Sequence, residues 1–137
     1  MKLEKYFRGE IIKDFYICEL GIDFMGYTFE DPNELSYHHL IIPKREHGET
    51  SYENGAVLVR DTSHNYIHTI ERYDWEVYES IKKEIIEQKN IGEISVENLK
   101  RIREYLEYFE EKYINTRTSK GNLIIPASYI RKRIELD

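Results

Sequence analysis

The sequence predicts one α+β domain, with a small strand-loop-strand-helix core, an N-terminal helix and a C-terminal helical hairpin. Three observations predict it. Two short apolar runs, 37–42 and 56–59, are bounded by turn residues and separated by a polar loop. The segment after the second run, 63–71, carries Ile67 and Ile70 at helical spacing. Two longer stretches, 74–89 and 95–114, carry apolar stripes with a period near that of an α-helix and are joined by a short link.

In chain order, residues 3–20 space Tyr6, Phe7, Ile11, Ile12, Phe15, Tyr16 and Leu20 three to five apart in places, which suggests a short amphipathic helix with Gly21 as its stop. Asp31-Pro32-Asn33 reads as a turn. Tyr37-His38-His39-Leu40-Ile41-Ile42 is an extended run ended by Pro43. Residues 44–54 are polar, include Gly48 and read as a loop. Ala56-Val57-Leu58-Val59 is the second strand, and Asp61, Thr62 and Ser63 offer oxygens to cap the helix that follows. The first long helix places Trp75, Tyr78, Ile81, Ile85 and Ile86 inward. Beyond Gly92, Ser95 caps a second with Val96, Leu99, Ile102, Leu106, Phe109 and Tyr113 inward, so the pair is expected as an antiparallel hairpin. A last stretch holds Leu123-Ile124-Ile125-Pro126 and the triplet Arg131-Lys132-Arg133. The expected organisation is a single domain over 1–137: a core at about 34–72, a helical extension at about 74–114 and a basic tail at 115–137.

A chain of 137 residues can bury a core without disulfides or a structural metal. Cys18 is the sole cysteine, so an internal disulfide and a cysteine-rich zinc knuckle are excluded. The first residues, MKLEKYFRGE, lack an apolar signal core, and no stretch reaches the length of a membrane span; a soluble, cytoplasmic protein is expected. The net charge is −6 and uneven: residues 1–70 hold 7 Lys+Arg against 12 Asp+Glu, 71–113 hold 8 against 12, and 114–137 hold 5 against 2. Contact with a polyanion therefore needs local basic clusters or a partner, and the bland reading of the acidity is solubility.

Four of the five histidines are His38, His39, His64 and His68. His64 and His68 are four apart, so on a helix both project from one face and can share a cation; a solvated pair and a structural zinc site are the competing readings. His38 and His39 are adjacent on a strand and face opposite ways unless it bulges, which suggests two separate tasks. Asn54 stands where the polar loop meets the second strand, where its side chain can brace the loop; an ordinary Asn-Gly turn is the alternative.

Glu34-Leu35-Ser36-Tyr37-His38-His39-Leu40-Ile41-Ile42-Pro43, then Asn54-Gly55-Ala56-Val57-Leu58, then Ser63-His64-Asn65-Tyr66-Ile67-His68 together resemble the HNH, or ββα-metal, nuclease family. The nearest variety has a His-His pair and a final His-x3-His, as in the bacterial colicin DNases. The resemblance covers roughly residues 34–72. It implies His39 as the general base that deprotonates an attacking water, with Asn54 ordering the loop and positioning that base. It implies His38, His64 and His68 as ligands of a divalent cation. Three imidazoles favour Zn2+, Ni2+ or Mn2+; Mg2+ prefers oxygen ligands and would need water or Asp61 in the site. Two features depart from the family. Its frequent Cys-x2-Cys pairs are absent, and His47-Gly48 stands where Gly-Gly is common, with His47 read as a bystander.

Lys44 and Arg45 follow the first strand and are candidate phosphate contacts, as is the Arg131-Lys132-Arg133 triplet; Arg60 and Arg72 read rather as surface or ion-paired residues. The 12 tyrosines read mainly as core with wet hydroxyls. The expected activity is metal-dependent hydrolysis of phosphodiester bonds in DNA, in a phage, mobile-element or defence setting. Two alternatives stay open: a non-catalytic HNH-fold module that binds a protein, such as a phage-encoded inhibitor of host defence, and a nuclease subunit that needs a basic partner for nucleic-acid affinity.

Overall fold

A computed structural model describes residues 12–41, 46, 48, 50 and 52–136 of the chain. The expected N-terminal helix is seen over its described part as α1, Ile12–Ile17; Tyr6, Phe7 and Ile11 lie outside the described residues. Gly21 stands after the helix, in the turn that reverses the chain. Its φ is +83°, and a Cβ there would come within 2.9 Å of the Phe29 carbonyl oxygen, so glycine suits both the torsion and the space.

A buried ion pair fastens α1 to the rest. Asp14 is 1% exposed and Lys89 5%; the Lys89 ammonium lies 2.6 Å from the Asp14 carboxylate. The other Asp14 oxygen accepts the Val57 amide at 2.9 Å. The next segment turns on Asp23, whose buried carboxylate accepts the amides of Met25, Tyr27 and Val59 and the Ser63 hydroxyl. The expected turn at 31–33 is a single 3-10 turn, Pro32–Glu34, closed by a reciprocal capping box between Asp31 and Glu34.

Strand β1, Leu35–His39, pairs antiparallel with β2, Gly55–Val59, in the register Leu35↔Val59 to His39↔Gly55. The sequence expectation placed β1 at 37–42, two residues late at its start. Pairing stops at His39 because the next two amides, of Leu40 and Ile41, both donate to the one carbonyl of Asn54, at 2.8 and 3.1 Å. All five residues of β2 are buried.

Gly55 sits at the tightest point of this ladder. A Cβ there would fall 2.0 Å from the His38 carbonyl oxygen and 2.8 Å from the Tyr37 ring. Gly55→Ala is therefore expected to push the strands apart, destabilising the protein by about 1–3 kcal/mol and lowering the midpoint of urea unfolding. An unchanged midpoint would mean that the strands give way freely here.

After β2 the chain makes a wide π-helical turn, Arg60–His64, and then enters α2, Asn65–Tyr73. Asp61, Thr62 and Ser63 do not cap this helix, which has no side-chain cap. Ser63 instead bonds Asp23 and the Val59 amide, deep in the core. Ile67 and Ile70 are fully buried, as expected.

The long helices are α3, Trp75–Ile91, capped by Asp74, and α4, Val96–Tyr113, capped by Ser95. They run antiparallel. The Ser95 amide donates to Gln88 and Asn98 to Glu84 at one end, while the Tyr113 hydroxyl donates to the Tyr73 carbonyl at the other. Tyr78, Ile81, Ile85, Leu99, Ile102, Leu106 and Phe109 are buried. Trp75 and Val96 contradict their inward assignment, at 57% and 58% exposed. Each is the first residue of its helix, and Val77 takes the core position that opens the α3 stripe.

The C-terminal stretch buries Ile124 and Ile125 and forms one short helix, α5, Ser128–Arg131. It is tied back by the Ile134 amide on the Gly26 carbonyl and by Arg103 on the Ile134 carbonyl. The architecture is thus mixed α and β, with the two-stranded sheet packed among helices. No helix among the described residues is long and apolar enough to cross a membrane.

Candidate metal centre

Three of the histidines meet. His38 from β1, His64 from the π-helical turn and His68 from α2 each bring a ring nitrogen within 4.8 Å of the others'. Their ring centroids are 5.2 Å apart for His38–His64, 4.7 Å for His38–His68 and 5.0 Å for His64–His68. This spacing suits three ligands of one ion. The fold explains the meeting: β1 lies beside the turn, so its inward residues face the beginning of α2. His64 and His68, one helical turn apart, stack at an interplanar angle of 28°.

Each ring is held from behind. Ser36, two residues before His38 and so on the same face of β1, shares a hydrogen bond of 2.5 Å with His64 Nδ1. The Glu71 carboxylate lies 3.7 Å from His68 Nδ1. The His38 Nε2 stands 3.2 Å from the Tyr78 hydroxyl, and burial with Glu71 and Glu79 nearby raises the pKa of that phenol and keeps its proton on. A proton on His38 Nε2 donates to the Tyr78 oxygen and leaves a lone pair on Nδ1. His38 Nδ1 is buried and has no hydrogen-bond partner among the described residues. An unsatisfied buried nitrogen costs stability, and a cation between the rings would satisfy it. The same contacts turn the Nε2 atoms of His64 and His68 to that task.

Electrostatics keeps His38 and His64 neutral. Burial, with His68, His64 and His39 nearby, pushes the His38 imidazole down to about 2. Burial and then the neighbouring His68 and His39 push His64 down to about 4. Both rings therefore present lone pairs at neutral pH without first losing a proton. The donor set fits a borderline-soft divalent ion. Outer partners of metal-binding imidazoles typically change affinity 10–100-fold, so Tyr78→Phe is expected to weaken Zn2+ binding by about tenfold. Calorimetric titration checks this, and unchanged affinity would remove Tyr78 from the support of His38.

His39 points to the other face of β1, as its place in the strand requires. It packs edge-on against the Tyr37 ring with centroids 4.8 Å apart, and its Nε2 lies 3.4 Å from the Thr50 hydroxyl. It nonetheless borders the same cleft of about 770 Å³ that His38, His64 and His68 line. Asn54 is buried and, through its carbonyl, gathers the two amides that end β1.

The candidate phosphate contacts fare differently. Lys44 and Arg45, like His47, lie outside the described residues. Arg131 and Lys132 are exposed at the end of α5 but do not line the cleft. Arg133 departs from its reading as a candidate phosphate contact. Its side chain is 8% exposed and its guanidinium holds both oxygens of Glu110, so it serves the core. Arg60 lies 3.7 Å from Asp61, an exposed pair.

Ser36, Glu71 and Tyr78 were missed at the level of sequence. Ser36 was findable, being one strand period from His38, and Glu71 sits one helical turn from His68. Tyr78 comes from a separate helix, and nothing in its spacing ties it to His38. Comparison with profiles of protein families, with curated proteins and with solved structures finds no match to this chain.

Proposed function

We propose that the protein is a metal-dependent endonuclease of the HNH, or ββα-metal, kind that hydrolyses phosphodiester bonds in DNA. The convergence of His38, His64 and His68, with His39 on the same cleft, carries this reading. His38, His64 and His68 hold the ion, with Zn2+, Ni2+ or Mn2+ favoured by their nitrogen donors. When bound, the ion withdraws charge from the scissile phosphate and its leaving oxygen. His39 takes the proton of the attacking water on Nε2 or Nδ1 and returns it to solvent. Thr50 restrains the His39 ring, and the Asn54 carbonyl fixes the end of the strand that carries it.

The net charge of −6 favours one second reading, in which the same centre is structural or needs a basic partner to hold nucleic acid. One assay separates them. The purified protein is incubated with supercoiled plasmid and with single-stranded DNA and RNA, under Mn2+, Ni2+, Zn2+ or Mg2+ in turn, with EDTA as control. Cleavage that requires the metal supports the enzyme. A folded, metal-binding protein that cuts nothing would overturn it in favour of the binding module or partnered subunit.

A further inference from the structure

Trp75 is the chain's only tryptophan, and it is 57% exposed. A tryptophan left in water at the start of a helix has no role in the core. Its location is specific: it forms part of the wall of the cleft that the three histidines line. Behind it the Tyr78 ring lies at a centroid distance of 5.3 Å, and Tyr78 in turn reaches His38. One face of the indole is thus backed and the ring stands one aromatic side chain away from a metal ligand. Ile41, also exposed at 52%, borders the same cleft.

The charges nearby say what part of a substrate fits there. Among the described residues, Glu46, Glu71 and Glu79 line the cleft against one ammonium, Lys82, which is already paired with Glu79 at 2.8 Å. Away from a bound cation these carboxylates repel a phosphate, whereas they do not repel a flat uncharged ring. A base within a duplex is already stacked on both faces and must leave the stack to use a protein aromatic. An unpaired base can lie on the indole directly.

We infer that Trp75 is a stacking platform for an unpaired nucleobase beside the scissile phosphate, making single-stranded or locally opened nucleic acid the preferred substrate. This rests on the nuclease reading for its catalytic consequence, but its binding test does not. Trp75 fluorescence is followed in EDTA at low ionic strength while a ten-nucleotide single-stranded DNA, or its duplex, is added. The single strand is expected to quench the emission and to bind at least about tenfold more tightly than the duplex. In anisotropy titrations with the labelled strand, Trp75→Ala should weaken binding by about 5- to 150-fold, the span of one lost base stack, and Trp75→Phe should recover most of it. Zn2+ affinity, unchanged in both variants, shows that they are folded. No quenching, equal affinity for duplex, or full affinity in Trp75→Ala would overturn the platform. Metal-dependent cleavage unaffected by Trp75→Ala sinks the platform and spares the nuclease, while quenching without cleavage under any metal does the reverse.

Discussion

His39→Ala is expected to slow metal-dependent cleavage by about 10²- to 10⁴-fold, the usual contribution of a positioned general base. Fold and metal affinity should be unaffected. The separation follows from strand geometry. His38 and His39 are neighbours on β1, so one faces inward to His64 and His68 while the other faces Tyr37 and Thr50. Initial rates on supercoiled plasmid, measured beside a Zn2+ titration, check both halves. A parallel loss of metal affinity would make His39 a ligand, and an unchanged rate would remove it from the chemistry.

The largest expected effect on stability lies outside the histidines. Lys89→Met removes the only cation that meets the Asp14 carboxylate among the described residues, leaving an acid that is 1% exposed. Breaking a buried pair in this way costs about 3–5 kcal/mol, against a total stability of about 5–15 kcal/mol for a domain. The sign with pH is fixed by Asp14, whose carboxyl burial already pushes up despite Lys89. Without Lys89 it rises further. A carboxyl raised in the folded state favours folding at low pH and loses that contribution as pH rises through its folded value. The gap between wild type and Lys89→Met should therefore be wide at pH 7 and narrow toward pH 4. Adding Asp14→Leu should restore part of the stability but not all, because the Val57 amide loses its acceptor. Urea unfolding at several pH values reads each step, and a pH-independent gap would contradict the assignment. The pair also bears on the site. The Lys89 ammonium rests 3.9 Å from the centre of the Tyr52 ring, and the Tyr52 hydroxyl donates to the Lys89 carbonyl, beside the chain that leads into Asn54.

Elements with a strong local pattern were legible in the sequence. The stripes at 74–89 and 95–114 became α3 and α4 within two residues at either end, and Ile67 and Ile70 located the buried face of α2. Helical spacing led to the expectation that His64 and His68 share a face, whereas the choice of His38 over His39 as their companion rested on the resemblance to the HNH pattern. What escaped was decided by tertiary contacts. The β1 boundary depends on two amides sharing the Asn54 carbonyl. Ser63 has the chemistry of a cap, yet it serves the buried Asp23, a residue 40 positions away. Arg133 reads as part of a phosphate-binding basic triplet until Glu110, on α4, claims it. Trp75 matches the α3 stripe by spacing, yet as the first helical residue it stays 57% exposed while Val77 fills the core position.

The central claim is that His38, His64 and His68 hold one divalent ion beside His39. The most direct test is diffraction from crystals soaked in Zn2+ or Mn2+, recorded at an anomalous edge of the metal. The account predicts one strong peak bonded to His38 Nδ1 and to Nε2 of both His64 and His68, absent in His38→Ala. No peak at these rings in an ordered crystal, or a peak that persists without His38, would contradict it.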